Sequence, residues 1–327
     1  MTILAVIDLG SNSVRMTISK YHQDGHYEVL ERYQEMVRLS EGMGEGMGED
    51  KILQPEAIER TLDALKHFKK ALSVYPEADI NVRAVATAAV RQAANQDEFL
   101  VAFKNTMVWP LEVLTGEQEA HFDYVGIVNT LNINDALILD TGGASAELVL
   151  VRNKEALHEV SLPIGAVTIS EGYLEKDIVS AASLFEATVA LRRMFGDVSW
   201  LNEAANLPLV ALGGSNRTLA KISRRQKKIV DLPVHGYHLS TQDATAIYQM
   251  ILGKDLNERK KMAGLAKERG DIIIGGLLPL MELLILLSGQ QVIFSQSGLR
   301  EGILFETIKR ETGHDVIAPE PAAMTID

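Results

Sequence analysis

Two acidic residues bracket a glycine-rich turn near the middle of the chain. Asp140 ends one apolar run, Glu147 opens another, and Gly142 and Gly143 lie between them, so two strands joined by a turn are predicted. Because glycine lacks a Cβ, backbone N–H groups there can approach an anion closely. Two carboxylates brought together by a hairpin suit a hard divalent cation such as Mg²⁺. These features together are typical of a site for a metal–polyphosphate ligand, although an ordinary hairpin with solvated acids shares the pattern.

The same motif occurs at the start of the chain. Asp8–Ser13 and Asp140–Ser145 both fit the pattern Asp-x-Gly-x-x-Ser, and their aspartates lie 132 positions apart. Each copy follows an apolar run and precedes a second predicted strand. One copy would be weak evidence, but two copies in matching contexts indicate a duplicated module.

The duplication resembles the arrangement of the actin-like, ribonuclease-H-like superfamily. We therefore expect an α/β fold of two duplicated domains, with an active-site cleft between them. The expected ranges are residues 1–123 for the first domain, 124–310 for the second and 311–327 for a tail. A closing helix at about 300–312 is expected to pack back on the first domain.

Charged residues at two strand–helix junctions could act on an anion. A predicted strand at 80–87 precedes a helix whose first turn holds Arg91, where a guanidinium can reach an anion above the strand end. The alternative for Arg91 is an exposed arginine on a helix face. Glu117 and Glu119 begin the helix after the next strand. Acids stabilise that end electrostatically, but one of the two could instead serve as a general base.

A third strand–turn–helix segment carries two adjacent glycines. Gly213 and Gly214 follow the apolar run at 208–212 and precede a predicted helix. In actin-like nucleotide enzymes a Gly-Gly pair at this place approaches the nucleotide. The alternative is a turn that faces phosphate without recognising a base.

Composition excludes several classes of function. The chain has 327 residues, no cysteine and a formal net charge of −12. Disulfides, thiolate zinc sites and cysteine nucleophiles are therefore excluded, and the charge argues against sequence-independent nucleic-acid binding.

The first apolar run ends at Asp8 and predicts a core strand instead of a signal peptide. Pro279 and Glu282 interrupt the apolar run at 272–287, which predicts a buried helix. We expect a cytoplasmic protein that does not enter a membrane.

Several stretches together resemble the exopolyphosphatase/guanosine pentaphosphate phosphatase (Ppx/GppA) family, and the similarity runs from about residue 3 to residue 310. The stretches are Asp8–Ser13, Ala86–Ala93, Thr115–Ala120, Asp140–Leu148, Ser161–Val167 and Ser297–Gly302. Their order and spacing are more specific than any one of them.

The resemblance implies a role for individual residues. Glu119 would be the base that activates water, Asp140 and Glu147 would hold Mg²⁺ or another divalent cation, and Arg91 would contact the terminal phosphate. Backbone and side-chain donors of the glycine turns would bind the other phosphates; these residues are Ser11, Asn12, Ser13, Gly142, Gly143, Ala144, Ser145, Gly213 and Gly214.

The sequence departs from the usual family pattern at four positions. Ala144 replaces a common third glycine and Ala146 a common hydroxyl residue, while Gln118 and His121 replace the usual Glu and Arg beside the base. These changes leave the implied base and metal carboxylates in place.

The predicted function is Mg²⁺-dependent removal of the terminal phosphate of inorganic polyphosphate by in-line attack of water, with orthophosphate released. One alternative is hydrolysis of the 5′-terminal phosphate of guanosine pentaphosphate. Another is a non-catalytic regulator that binds an alarmone or an adenine nucleotide. A homodimer is expected from the family alone.

Overall fold

The computed structural model describes residues 2–44, 51–76 and 80–320. The chain forms two compact units. The first unit runs to Thr130 and takes in Gly298–Pro319, and the second comprises Leu131–Ser297. The first break therefore lies after residue 130 instead of after residue 123, because the helix that holds Glu119 continues to Val128.

Strands and helices alternate along the chain. The strands are β1 (Thr2–Leu9), β2 (Ser13–Tyr21), β3 (Tyr27–Met36), β4 (Ile80–Ala86), β5 (Leu111–Val113), β6 (Ala136–Thr141), β7 (Ala146–Arg152), β8 (Glu155–Leu162), β9 (Leu209–Leu212), β10 (His238–Ser240) and β11 (Gln291–Phe294). The α-helices are α1 (Pro55–Leu72), α2 (Ala88–Arg91), α3 (Gln96–Thr106), α4 (Gly116–Val128), α5 (Ala166–Tyr173), α6 (Ala181–Gly196), α7 (Gly214–Gln226), α8 (Thr241–Leu252), α9 (Leu256–Lys260), α10 (Ile273–Leu286) and α11 (Leu299–Thr312). Short 3₁₀ turns occupy Leu201–Ala204 and Lys267–Arg269.

The two units repeat one sheet topology. The first sheet has the order β3-β2-β1-β4-β5, and the second has β8-β7-β6-β9-β11 with β10 added at its edge. In each sheet the first three strands form an antiparallel meander and the next strands pair in parallel, whereas the added edge strand β10 pairs antiparallel with β11. The duplicated α/β fold predicted from the two motifs is thereby confirmed.

The repeat extends to a local irregularity in each meander. The register of β2 against β3 shifts between Ile18 and Ser19, and that of β7 against β8 shifts between Leu150 and Val151. These positions are again 132 residues apart. An extra residue in one strand bends the pair and increases its twist, so each meander bends at the equivalent place.

The first sheet is covered on both faces because alternate side chains of β1 point to opposite sides. Ala5, Ile7 and Leu9 belong to a core with α1 and α3, whereas Leu4 and Val6 belong to a separate core with α4 and α11. The near-continuous apolar run of β1 follows from this double burial.

Helices α4 and α11 meet through glycines. A Cβ added at Gly126 would clash with the backbone of Gly298, and one at Gly302 would clash with the backbone of Phe122. Both glycines therefore allow the two helix backbones to approach more closely than alanine would permit.

The second unit is built around α10, which runs through the largest core of the chain. Gly275 contacts α5 and Gly276 contacts α7, again at distances that leave no room for a Cβ. The apolar run predicted as a buried helix is thus confirmed. Among the residues that the structure describes, every helix is too short or too polar to span a bilayer.

Gly302→Ala is expected to destabilise the first unit by about 1 to 3 kcal/mol, since the added methyl must displace the α4 backbone. Denaturant unfolding would measure the change. Gly196→Ala is the matched control because its Cβ meets nothing within 4 Å. Equal stability of the two variants would contradict the close approach of α4 and α11.

Candidate functional site

The first glycine turn is shaped by hydrogen bonds from the segment after β3. Gly10 N donates to Ser13 O at 3.2 Å and closes the turn. Arg38 N donates to Asn12 O at 3.0 Å, and Ser40 N donates to Ser11 O at 2.9 Å. Because a trans peptide points its C=O and the next N–H in opposite directions, the amide of Asn12 is directed away from this segment.

The second turn repeats the arrangement. Gly142 N donates to Ser145 O at 3.0 Å, which is the bond equivalent to that between Gly10 and Ser13. The segment after β8 then holds the carbonyls, with Ala166 N on Gly142 O at 2.9 Å and Val167 N on Gly143 O at 2.8 Å.

The amides of Gly143 and Ala144 are consequently directed away from that segment. Backbone N–H groups with a common direction make a concavity suited to an anion. Ala144, one of the departures from the family pattern, contributes a backbone amide as well as a glycine would.

The two acids of the second hairpin lie directly opposite each other. Asp140 pairs in register with Glu147, so their Cβ atoms are about 5 Å apart. Glu147 is 1% exposed and accepts a hydrogen bond from Ser161 Oγ at 2.7 Å. A carboxylate buried this deeply is costly without compensating charge. Two opposed carboxylates fit a hard divalent cation that prefers oxygen ligands.

The equivalent pair in the first unit has a different charge. Asp8 pairs in register with Arg15, which stands 132 positions before Glu147. Here the acid faces a cation instead of a second acid. This register pair therefore lacks the donor set that a divalent metal requires.

Arg91 and Glu119 lie together in the first unit. Arg91 Nη1 donates to Glu119 Oε2 at 2.9 Å and to the carbonyl of Leu114 at 2.8 Å. Thr87 connects Arg91 to the first turn, because Arg91 N donates to Thr87 O at 3.0 Å while Thr87 N donates to Leu9 O at 3.3 Å. Residues from three sequence motifs thus converge near the end of β1.

The start of α4 fixes the position of Glu119. Thr115 caps the helix and accepts from Gln118 N at 3.1 Å, while Gln118 Oε1 accepts from Thr115 N at 2.8 Å. Gln118, another departure from the family pattern, thus completes a capping box. Glu117 is exposed, so Glu119 is the acid of this turn that reaches Arg91. His121, one turn away from Gln118, pairs instead with Glu306 at 2.9 Å.

The Gly213–Gly214 turn lies against the second hairpin. Gly213 has φ = +93°, and a Cβ there would lie 2.8 Å from Asp140 Oδ1 and clash with Thr141 O. Asn216 strengthens the junction, since its Nδ2 donates to Leu212 O at 2.5 Å and to Thr141 Oγ1 at 3.2 Å.

Sequence analysis missed two further residues, one in each unit. The Arg269 guanidinium lies directly on Gly214, so that a Cβ there would clash with it. Arg269 comes from a short 3₁₀ turn 55 positions later in the chain, and no local pattern marks it. Asp123 is 1% exposed on α4. Its spacing of four from Glu119 places it on the same helix face, which is a signal that could have found it.

A family model described as the Ppx/GppA phosphatase family matches residues 18–311. The chain belongs to this family. Its members hydrolyse phosphoanhydride bonds. The family and the reaction class predicted from the motifs are therefore confirmed.

Relatives are found in several bacteria. A Haemophilus influenzae protein to which exopolyphosphatase activity is ascribed is 28% identical, over 96% of this chain and 94% of its own length. A guanosine-5′-triphosphate,3′-diphosphate pyrophosphatase of Pseudoalteromonas translucida is 29% identical over 96% of this chain, which spans only 61% of that protein. The crystal structure of the Aquifex aeolicus family member is 27% identical and superposes with a TM-score of 0.75, over 95% of this chain and 98% of that one.

Gly165→Ala is expected to lower activity by displacing the second turn, because its Cβ would lie 2.7 Å from Gly143 O and 2.8 Å from Ser145 N. Phosphate release and thermal unfolding would both be measured. Gly172→Ala on the following helix is the control, since a Cβ there meets nothing within 4 Å. Full activity of a folded Gly165→Ala variant would show that the segment does not shape the turn.

Proposed function

We propose that this protein is an exopolyphosphatase that hydrolyses the terminal phosphoanhydride bond of inorganic polyphosphate. The observation that carries the proposal is the placement of Glu119 beside Arg91 at the end of the first sheet, 2.9 Å apart. An acid that activates water and a guanidinium that binds phosphate are two of the groups that this hydrolysis uses.

Each residue has a defined task in this proposal. Glu119 takes a proton from the attacking water, and the water oxygen forms a bond to the terminal phosphorus while the bridging oxygen leaves with its electron pair. Arg91 holds oxygens of the terminal phosphate, and amides of the first glycine turn receive the others. No covalent intermediate with the protein is required.

Asp140 and Glu147 would hold the divalent cation. We propose Mg²⁺, since the opposed carboxylates offer oxygen donors and no cysteine is available. When bound, the cation neutralises the negative charge of the phosphate oxygens. We assign the cation to the second hairpin because, in the first hairpin, Arg15 stands at the position equivalent to Glu147.

A second candidate function is hydrolysis of guanosine pentaphosphate. The Gly213–Gly214 turn and the guanidinium that lies on it favour this reading, since a planar guanidinium can stack on a nucleotide base and bind phosphate. The named activity of the Pseudoalteromonas relative belongs to the same class of reaction. A homodimer and a cytoplasmic location are further proposals, taken from the family resemblance.

Phosphate release from the purified protein with Mg²⁺ tests the two candidates. Triphosphate, long-chain polyphosphate, guanosine pentaphosphate and ATP would be compared at equal concentrations of terminal phosphate. We expect the highest kcat/KM on polyphosphate. Preference for guanosine pentaphosphate would establish the second candidate, and no release from any substrate would leave only the regulatory alternative.

Glu119→Gln is expected to lose about 10²- to 10⁴-fold in kcat, the usual contribution of a general base. Glu117→Gln is the control, because the same charge is removed from an exposed residue of the same helix turn. Circular dichroism would verify that both variants fold. Near-normal turnover by Glu119→Gln would remove the proposed base.

Asp140→Asn and Glu147→Gln are each expected to raise the Mg²⁺ concentration for half-maximal activity by about tenfold to a hundredfold. Glu155→Gln, an exposed acid of the same sheet, should leave it unchanged. Metal titrations of phosphate release would give the values. Unchanged titrations in the first two variants would make both carboxylates structural.

A further inference from the structure

The guanidinium of Arg91 is shared between two acceptors. Its Nη1 donates to the carbonyl of Leu114 and to the carboxylate of Glu119. The two side chains of this ion pair are 21% and 12% exposed, respectively. An ion pair so largely removed from water is a stronger interaction than a surface salt bridge.

This contact conflicts with the roles that the proposed function gives to the same two groups. A phosphate that takes the Arg91 guanidinium competes with Glu119 for it. Equally, the carboxylate oxygen that accepts from Arg91 competes with the water that Glu119 must polarise. An exchange of partners before the chemical step would free the shared Arg91 N–H for phosphate and the shared Glu119 oxygen for water.

We propose that the Arg91–Glu119 ion pair is a latch opened by the substrate. The terminal phosphate binds Arg91 in place of the carboxylate, and Glu119 is thereby released to accept a proton from water. The inference rests on the proposed function, and it adds that the base is withheld until a terminal phosphate is bound.

The surrounding structure confines the exchange to side chains. The Leu114 carbonyl keeps the guanidinium in place while its other partner changes. The backbone of Glu119 is fixed as well, since its N–H donates to Thr115 O at 3.1 Å inside the capped first turn. Arg91 is fixed at its own N–H by Thr87. Rotation about the Glu119 side-chain bonds is thus the movement that opens the latch.

The latch predicts an effect on phosphate binding that is not expected if Glu119 acts only as a base. Opening the ion pair costs free energy in the unmodified protein, so removal of the Glu119 charge should tighten phosphate binding through Arg91. The probe is a non-hydrolysable imido analogue of triphosphate with Mg²⁺, measured by isothermal titration calorimetry. This probe also allows the unmodified protein to be measured without turnover.

Glu119→Gln is expected to bind the analogue about tenfold more tightly, which corresponds to one hydrogen bond between charged groups. Glu117→Gln should change the affinity less than about twofold, which measures the general effect of removing one negative charge nearby. In an Arg91→Gln background, Glu119→Gln should have no larger effect than Glu117→Gln. Arg83→Gln is the control for loss of an arginine, because Arg83 pairs with Glu112 instead.

The outcomes separate the latch from the base. Equal effects of the Glu119 and Glu117 substitutions, or a full tightening that persists without Arg91, would overturn the latch. If Glu119→Gln loses turnover but binds the analogue with unchanged affinity, the base assignment stands and the latch is rejected. Retained turnover in Glu119→Gln would instead reject the base assignment. Tightening that requires Arg91 would establish that Glu119 and the phosphate compete for the Arg91 guanidinium.

Discussion

Peptide carbonyls of both glycine turns are held by backbone N–H groups from the segment that follows the third strand of the same unit. In the second unit the donors are Ala166 and Val167, and in the first they are Val37, Arg38 and Ser40. A flexible glycine turn would otherwise sample many conformations. Because its carbonyls are hydrogen-bonded on one side, each turn presents its amides on the other side. Gly165 is needed because its backbone lies directly on the turn.

The two units share topology and turn structure but carry different chemistry. The position opposite the motif aspartate is Arg15 in the first unit and Glu147 in the second. The first unit also holds the Arg91–Glu119 pair, whereas the second presents two opposed acids. Duplication of a hairpin therefore preserved the geometry that suits an anion and altered the side chains around it. The two copies therefore differ in charge at the equivalent register position, where the first carries a guanidinium and the second a carboxylate.

Features that depend on neighbours in sequence could be predicted, and features that depend on sheet order could not. Both hairpins and the helix at Ile273–Leu286 follow from local apolar patterns and turn residues. The contact between Arg91 and Glu119 spans 28 positions and requires β4 to pair with β5, which no local pattern specifies. Contact of Arg269 with Gly214 depends in the same way on the packing of α7. The helix predicted to hold Arg91 in its first turn is the short α2, Ala88–Arg91, and α3 begins separately at Gln96.

The first unit is completed by a helix that lies almost at the other end of the chain. Ile303, Leu304 and Ile308 of α11 share a core with Leu4 and Val6 of β1. Helix α4 covers part of that face, but a ribosome that has made the first strand must add about three hundred residues before α11 can complete the cover. The main segment of the second unit runs without interruption from Leu131 to Ser297, so it can pack while the first unit still exposes part of one apolar face. During synthesis, the second unit is thus expected to finish folding before the first, although its glycine turn comes later in the sequence.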